Sequence, residues 1–205
     1  QHPHVKIISM AELEAVEGSP GNYRVLIKKR PRFVDATKCT ACGECETVCP
    51  IKVPSEFEVN LLPRKAIYTP FKQAVPKTYV IDRERCLFFN KGVCRVCEKI
   101  CKGKAIDFEQ KEETIELDVG AVVACTGFQQ LDPKIPEEYA LGLHPDIITN
   151  LQFERLLPQG LRRPSDGKVA KKVAFILCVG SRNMNENRGV DHCCKIGCMA
   201  SIKQA

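Results

Sequence analysis

The sequence has no long apolar run. No stretch approaches the roughly 18 residues that a membrane-spanning helix needs, so nothing in it reads as integral to a bilayer. No signal peptide heads it, and the expectation is a reducing cytoplasm rather than an oxidising compartment. Aromatic residues are only 6% of the chain, and no basic stripe is interleaved with them. The formal charge of +6, from 31 basic and 25 acidic residues, is therefore not read as nucleic-acid binding. No G-x-G-x-x-G occurs, so a dinucleotide fingerprint, if one serves this protein, is expected upstream of Gln1. The sequence opens on Gln1 without a methionine and closes at Ala205 in a helix-like run, which suggests a piece of a longer polypeptide.

Cysteine, by contrast, is abundant: there are 13, and twelve fall into groups of four. Secreted disulfide scaffolds are usually shorter and denser, whereas repeated C-x2-C spacing without a leader reads as metal ligation. The first run, Cys39-Thr-Ala-Cys42-Gly-Glu-Cys45-Glu-Thr-Val-Cys49-Pro50, has the bacterial-ferredoxin spacing for a [4Fe–4S] cluster. In that arrangement the fourth cysteine serves the neighbouring cluster. The second run is Cys86, Cys94, Cys97 and Cys101, spaced C-x7-C-x2-C-x3-C. The expected ligand sets are thus Cys39, Cys42, Cys45 and Cys101 for cluster one, and Cys86, Cys94, Cys97 and Cys49 for cluster two. An oxidised core with four thiolates carries roughly −2, so three such sites would nearly cancel the basic surplus. Zinc stays open as an alternative, although this density of thiols crowds separate tetrahedral sites.

Around these runs the chain divides into 1–34, 35–110 and 111–205. His4–Ile8 is a short β-branched run, and Met10–Glu17 has helical or turn character broken by Gly18-Ser19-Pro20-Gly21. Tyr23–Lys29 alternates like a strand and Pro31 stops it. Asp35-Ala36-Thr37-Lys38 leads into the first cysteine run and Val80-Ile81-Asp82-Arg83 into the second, an internal pseudo-repeat. Residues 50–79 carry five prolines and read as an irregular wrap. Thr114–Val119 alternates, and 120–125 is an apolar run expected to be a buried strand ending in Thr126-Gly127-Phe128. Cys125 is read as a small core residue, with a redox-active thiol as the alternative. Residues 132–148 read as connection, Asn150–Leu157 as a helix capped by Thr149 or Asn150, and Gly160–Lys172 as a basic, solvated loop. Lys172–Val179 is a second wholly apolar strand candidate.

A third cysteine set follows: Cys178, then Cys193, Cys194 and Cys198. Cys194 and Cys198 are i, i+4 on an expected helix running to Ala205, and a helix N-terminus favours thiolate. The set could cage a third [4Fe–4S] cluster. A zinc site, buried thiols or a vicinal disulfide remain open for it.

Taken in order, the ferredoxin-type stretch, ACTGF, ERLL, RPSDGK, FILCVGSR and the cysteine-rich run into MASIKQA resemble the A subunit of heterodisulfide reductase. The resemblance covers essentially the whole chain. It implies an α/β, thioredoxin-reductase-like FAD domain, incomplete here, interrupted by an α+β two-cluster ferredoxin domain. It further implies that Cys178, Cys193, Cys194 and Cys198 hold a cluster of unusual spacing, and that Thr126 and Gly127 lie near FAD. Lys203 of IKQA and Glu154 of ERLL would face the flavin ring. The implied activity is that of an oxidoreductase component in anaerobic methanogenesis, passing electrons between FAD and clusters in bifurcation or confurcation. The implied partners are disulfide-reducing and iron–sulfur subunits, a hydrogenase- or formate-dehydrogenase-type donor, and ferredoxin, in an oligomeric complex. Two departures stand out. The cysteine pair precedes Cys198 where the family has C-x3-C-C-M, and the loop after Leu157 is shorter than the family's. A ferredoxin-like carrier without flavin is the alternative function, and a zinc-dependent interaction module a third.

Overall fold

The computed structural model describes residues 2–128, 130, 139–185, 187 and 189–205. The expected connection at 132–148 thus lies outside the described residues over 132–138. The chain forms two compact units. One comprises Gln1–Phe57 and Pro63–Cys125, the other Glu58–Leu62 and Thr126–Ala205.

The first unit is built on an antiparallel hairpin, β1 (Ala11–Ser19) and β2 (Asn22–Lys29), with β7 (Glu113–Val119) on the far side of β2. From Ala11 on, the stretch expected to be helix or turn at Met10–Glu17 is therefore strand. Its residues are mostly good helix formers, but alternation from Ala11 to Ala15 fits a sheet, and pairing with β2 decides the outcome. The turn demands Gly21 at φ 92° and Gly18 at φ 106°; a Cβ on Gly18 would stand 2.2 Å from the Asn22 carbonyl oxygen. β2 and β7 run in register from Tyr23↔Val119 to Lys29↔Glu113. The chain thus leaves this sheet and re-enters it at one rung. The first of these units holds residues 11–29 and 113–119 together with most of the cysteine-rich stretch between them.

That stretch has an internal two-fold pattern. Val34 bridges Ile106, with Asp35 N–H donating to the Ala105 carbonyl at 2.7 Å. Correspondingly, β6 (Val80–Ile81) pairs β5 (Ile67–Tyr68), and Asp82 N–H donates to the Ala66 carbonyl at 2.7 Å. Each aspartate then turns the chain into a cysteine. The Asp35 carboxylate accepts from Thr37 N–H and Oγ1, and its carbonyl accepts Cys39 N–H; the Asp82 carboxylate accepts from Glu84 and Arg85 N–H, and its carbonyl accepts Cys86 N–H. Asx turns of this kind replace strand bonding with local bonding where the backbone must bend sharply. Short helices follow: α1 (Glu44–Thr47), α2 (Leu87–Lys91) and α3 (Val96–Ile100).

The core of the unit is Phe33, Val34, Cys45, Ile67, Tyr79, Ile81, Ala105 and Phe108, with Phe88 and Phe89 packed against it. Four phenylalanine rings interlock here, with Phe88–Phe108 centroids 4.3 Å and Phe33–Phe89 centroids 4.5 Å apart. The proline-rich wrap is more ordered than its composition suggests. It forms β3 (Val53–Pro54) paired with β4 (Pro63–Arg64), and it buries Ala66 and Ile67. Arg64 is its anchor. The guanidinium bonds both oxygens of Glu56, reaches Asp82 at 2.8 Å and stacks 4.0 Å over Tyr68.

In the second unit α4 (Asn150–Leu156) begins on a capping box. Thr149 Oγ1 accepts from Gln152 N–H while the Gln152 side chain accepts Thr149 N–H. α5 (Gly197–Gln204) packs on α4 through reciprocal amide bonds between Asn150 and Gln204, and Asn150 also donates to Ser201 Oγ at 3.0 Å. The two stretches expected to be buried strands, 120–125 and 172–179, form no strand and join no ladder among the described residues. Val123 is 82% exposed and Ile176 58%. Apolar runs of this kind form strands only where neighbours satisfy their backbone groups. Cys125 is likewise exposed, not a core residue.

The wrap and the aspartate turns can each be tested. Arg64→Ala removes one partner of the largely buried Arg64–Asp82 pair; it should lower the free energy of unfolding by about 2 kcal/mol, read by urea denaturation under anaerobic conditions. Hydrogen bonds from Thr37 hold the partly exposed Asp35 carboxyl at about 2, below its ordinary 3.8. Its stabilising contribution is therefore complete above pH ~4 and is lost as pH falls through about 2. Asp35→Asn, which keeps an acceptor but not the titration, should flatten the pH dependence of urea midpoints across that window.

Candidate iron–sulfur centres

Cys49, Cys86, Cys94 and Cys97 line a single cavity in the first unit, closed by aliphatic side chains including Ile51, Ile67, Ile81, Leu87 and Val96. Each thiol arrives by a distinct local device. Cys86 is the N-cap of α2, set by the Asp82 turn. Cys94 takes a left-handed conformation at φ 78°, which bends the chain between α2 and α3. Cys97 lies within α3, and Cys49 stands just past α1, where its N–H donates to the Glu46 carbonyl. Burial first, and then the neighbouring sulfurs of Cys86, Cys94 and Cys49, push the Cys97 thiol up to about 11. The fourth member of the set thus comes from the first cysteine run.

Cys39, Cys42 and Cys45 surround the loop into α1. Cys45 is buried, and desolvation followed by the sulfurs of Cys39, Cys97 and Cys42 raises its thiol to about 12. Cys101 ends α3 and packs on the same core as Cys39, and its sulfur accepts Ala105 N–H at 3.3 Å. α1 and α3 pack together, carrying Cys45 and Cys97 toward one another. Cys39 moves the other way. Burial acts to raise its thiol but is outweighed by the Thr78 hydroxyl, the N–H groups of Tyr79 and Ala41, and the Arg32 guanidinium, so the net shift is downward.

These residues suit a polynuclear iron core. Without metal, thiols crowded into an apolar interior keep their protons, because thiolates there would lack solvation and repel one another. A cationic core bonded to the sulfurs removes both penalties. Among the described residues no three Cys, His, Asp or Glu side chains gather closely enough for one metal ion.

The third set is arranged differently. Cys178 has φ 60° and is half-buried, whereas Cys193, Cys194 and Cys198 are exposed. A parallel bridge, Ser181↔Val190, and the bond from Arg182 N–H to the His192 carbonyl tie the turn after Cys178 to the segment before Cys193. Cys194 precedes α5 rather than sharing its face with Cys198. Its sulfur accepts Gly197 N–H at 3.4 Å, and that bond together with Ile196 N–H and the Ser181 hydroxyl lowers its pKa. Glu154 on α4 and Lys203 on α5 are both exposed, on helices that pack together. Thr126 and Gly127, with φ 75° at Gly127, are exposed.

Cysteine spacing does not reveal the groups around the sulfurs: Thr78, Tyr79 and Arg32 facing Cys39, and the Tyr79 hydroxyl donating to Glu46 at 2.9 Å. Thr78 and Tyr79 lie well away in sequence from the cysteines of that site, and no spacing rule points to them or to Arg32. The aspartates were visible, since Asp-x-x-x-Cys occurs before both Cys39 and Cys86.

Residues 32–55 match the family described as a 4Fe-4S binding domain. Across its whole length the chain is 45% identical to the iron-sulfur A subunit of the CoB–CoM heterodisulfide reductase of Methanocaldococcus jannaschii. It is 39% identical to the A subunit of the H(2):CoB-CoM heterodisulfide,ferredoxin reductase of Methanothermobacter thermautotrophicus, and 35% identical to that of the ferredoxin:CoB-CoM heterodisulfide reductase of Methanosarcina acetivorans. It covers 31%, 31% and 29% of those proteins, so it spans about a third of the length of the relatives it matches. No helix among the described residues is long and apolar enough to cross a membrane. Along its whole length the chain is thus similar to part of the A subunits of heterodisulfide reductases.

Proposed function

We propose that this chain is the cluster-bearing segment of an electron-transferring iron–sulfur flavoprotein of the heterodisulfide reductase type. The observation that carries the reading is the cavity shared by Cys49, Cys86, Cys94 and Cys97, in which a thiol from the first run completes the set of the second. Interleaving of this kind is the arrangement of a two-cluster ferredoxin. Cys39, Cys42, Cys45 and Cys101 are the ligands assigned to the first cluster. Cys178, Cys193, Cys194 and Cys198 are assigned to a third, supported by the backbone bonds that join Ser181 and Arg182 to residues 190–192.

When bound, the clusters supply one-electron carriers and FAD supplies a site that accepts an electron pair, the combination on which bifurcation or confurcation depends. In this reading the chain's own residues hold the carriers in sequence and keep water from them. Thr126 and Gly127 would let the backbone approach the flavin, Lys203 would favour its reduced anionic form, and Glu154 would balance that cation. Residues 1–34 and 111–205 would then be parts of one FAD domain, completed by strands alongside 120–125 and 172–179. The partners would be disulfide-reducing and iron–sulfur subunits, a hydrogenase- or formate-dehydrogenase-type donor, and ferredoxin, in a cytoplasmic complex. A second reading, electron transfer without flavin, draws support from the exposure of Thr126, Gly127, Glu154 and Lys203.

Anaerobic iron, sulfide and flavin analysis of the loaded chain separates these readings. About twelve irons per chain are expected from three four-iron sites. About eight would remove the third cluster, and stoichiometric zinc would sink the proposal. Flavin bound in stoichiometric amount favours the first reading over the second. Cys97→Ser should lose about four irons while leaving the others in place.

A further inference from the structure

We propose that Arg64-Lys65-Ala66-Ile67 is a clasp for the Cys49–Cys86–Cys94–Cys97 site, and that Lys65 is its positioning residue, holding Cys49 in place and setting a fixed positive charge beside the sulfurs. This rests on the cluster reading above and goes beyond it by giving the proline-rich wrap a part in that site.

Four consecutive residues of the wrap are each attached to this site in a different way. The Arg64 guanidinium bonds Asp82 at 2.8 Å, in the turn whose carbonyl accepts Cys86 N–H. The Lys65 ammonium donates to the Cys49 carbonyl at 2.5 Å, across 16 residues of chain. The Ala66 carbonyl accepts Asp82 N–H, and Ala66 and Ile67, each 2% exposed, form part of the cavity wall. Ile67 also pairs with Ile81, another residue of that wall. The pairing of Val53 with Arg64 explains how the segment gets there: the wrap departs just after Cys49 and is brought back beside it. One short segment therefore holds Cys49, from the first cysteine run, and the turn into Cys86, from the second. Apolar contact is non-directional and suffices for a cover, whereas a polar bond to each run fixes where the two runs stand.

Lys65 differs from Arg64 in where its charge ends. Arg64 is offset by two carboxylates, those of Glu56 and Asp82. The bond of Lys65 runs to a neutral carbonyl, which cancels none of its charge. Covalent geometry keeps a cysteine sulfur within about 5 Å of its own carbonyl oxygen, so the ammonium stands within about 8 Å of the Cys49 sulfur. The residue is half-buried, and over that distance salt screens it weakly. A four-thiolate cluster site is already roughly −2, and reduction adds one more negative charge. A cation fastened to one of the ligand residues favours the reduced form and so raises the potential of this site. A lysine free to turn into solvent would do so far less.

The test is a redox titration followed by electron paramagnetic resonance on the full chain, loaded anaerobically with iron and sulfide. The signal lost in Cys97→Ser marks this site. Lys65→Met, which keeps the length of the side chain and removes its charge, should move that signal to lower potential and leave the signal of the Cys39 site in place. Lys65→Arg, which keeps both charge and donor, should stay near the parent. If Lys65→Met does not take up the irons of this site, Lys65→Arg decides: uptake with a parent-like potential supports the inference, and failure of both variants shows a packing role alone and overturns it. A loaded Lys65→Met variant whose signal is unmoved, or in which both sites shift together, overturns it as well. All these outcomes leave the cluster reading standing. A parent chain that takes up no iron overturns that reading and this inference with it.

Discussion

The first unit depends on one constraint: thiols that would rather be solvated or protonated are packed into an apolar interior. Cys45 and Cys97 lie on helices too short to stand alone, and the cavity beside Ile67 and Ile81 is walled by side chains that offer sulfur no compensation. Hydrophobic burial alone gives such a unit a small core, since a few phenylalanines and aliphatic residues must organise a long stretch of largely irregular chain. Bonds from sulfur to iron would act as the missing part of that core. They join segments distant in sequence, as disulfides do in secreted domains, but through a centre that also carries charge.

Local backbone chemistry prepares those positions before any metal bond exists. Asp35 and Asp82 occupy equivalent places in the two halves and make equivalent turns, so Cys39 and Cys86 leave their strands in the same way. Arg64 links this local order to the wrap, because one guanidinium holds Glu56, Asp82 and the ring of Tyr68. The proline-rich segment is thus fastened to the turn that presents Cys86.

What could be read beforehand follows from the range of the forces involved. Cysteine spacing within each run is a local property, and it singles out Cys49, Cys86, Cys94 and Cys97, four residues that line one cavity. The Thr149 cap and the alternation in β2 and β7 are local as well, and they were legible. Ala11–Ser19 was not, because its propensities point to helix and only pairing with residues 22–29 makes it strand. The reverse error occurred at 120–125 and 172–179, whose composition reads as buried strand although no ladder partner stands beside them among the described residues. Apolar composition states a need for burial, not the means of meeting it. The groups facing Cys39 were invisible for a related reason: Thr78 and Arg32 reach that sulfur through tertiary packing, not through any spacing along the chain.

The pairing of Lys29 with Glu113 has a consequence for how such a protein can be assembled and altered. The whole cysteine-rich excursion departs from and returns to adjacent points of one sheet, like a bag drawn closed at its neck. Its length can change, or it can be exchanged for a unit of different electron capacity, without shifting the register of the strands that hold it. The neck between β2 and β7 is therefore the point whose register a longer or shorter excursion has to preserve.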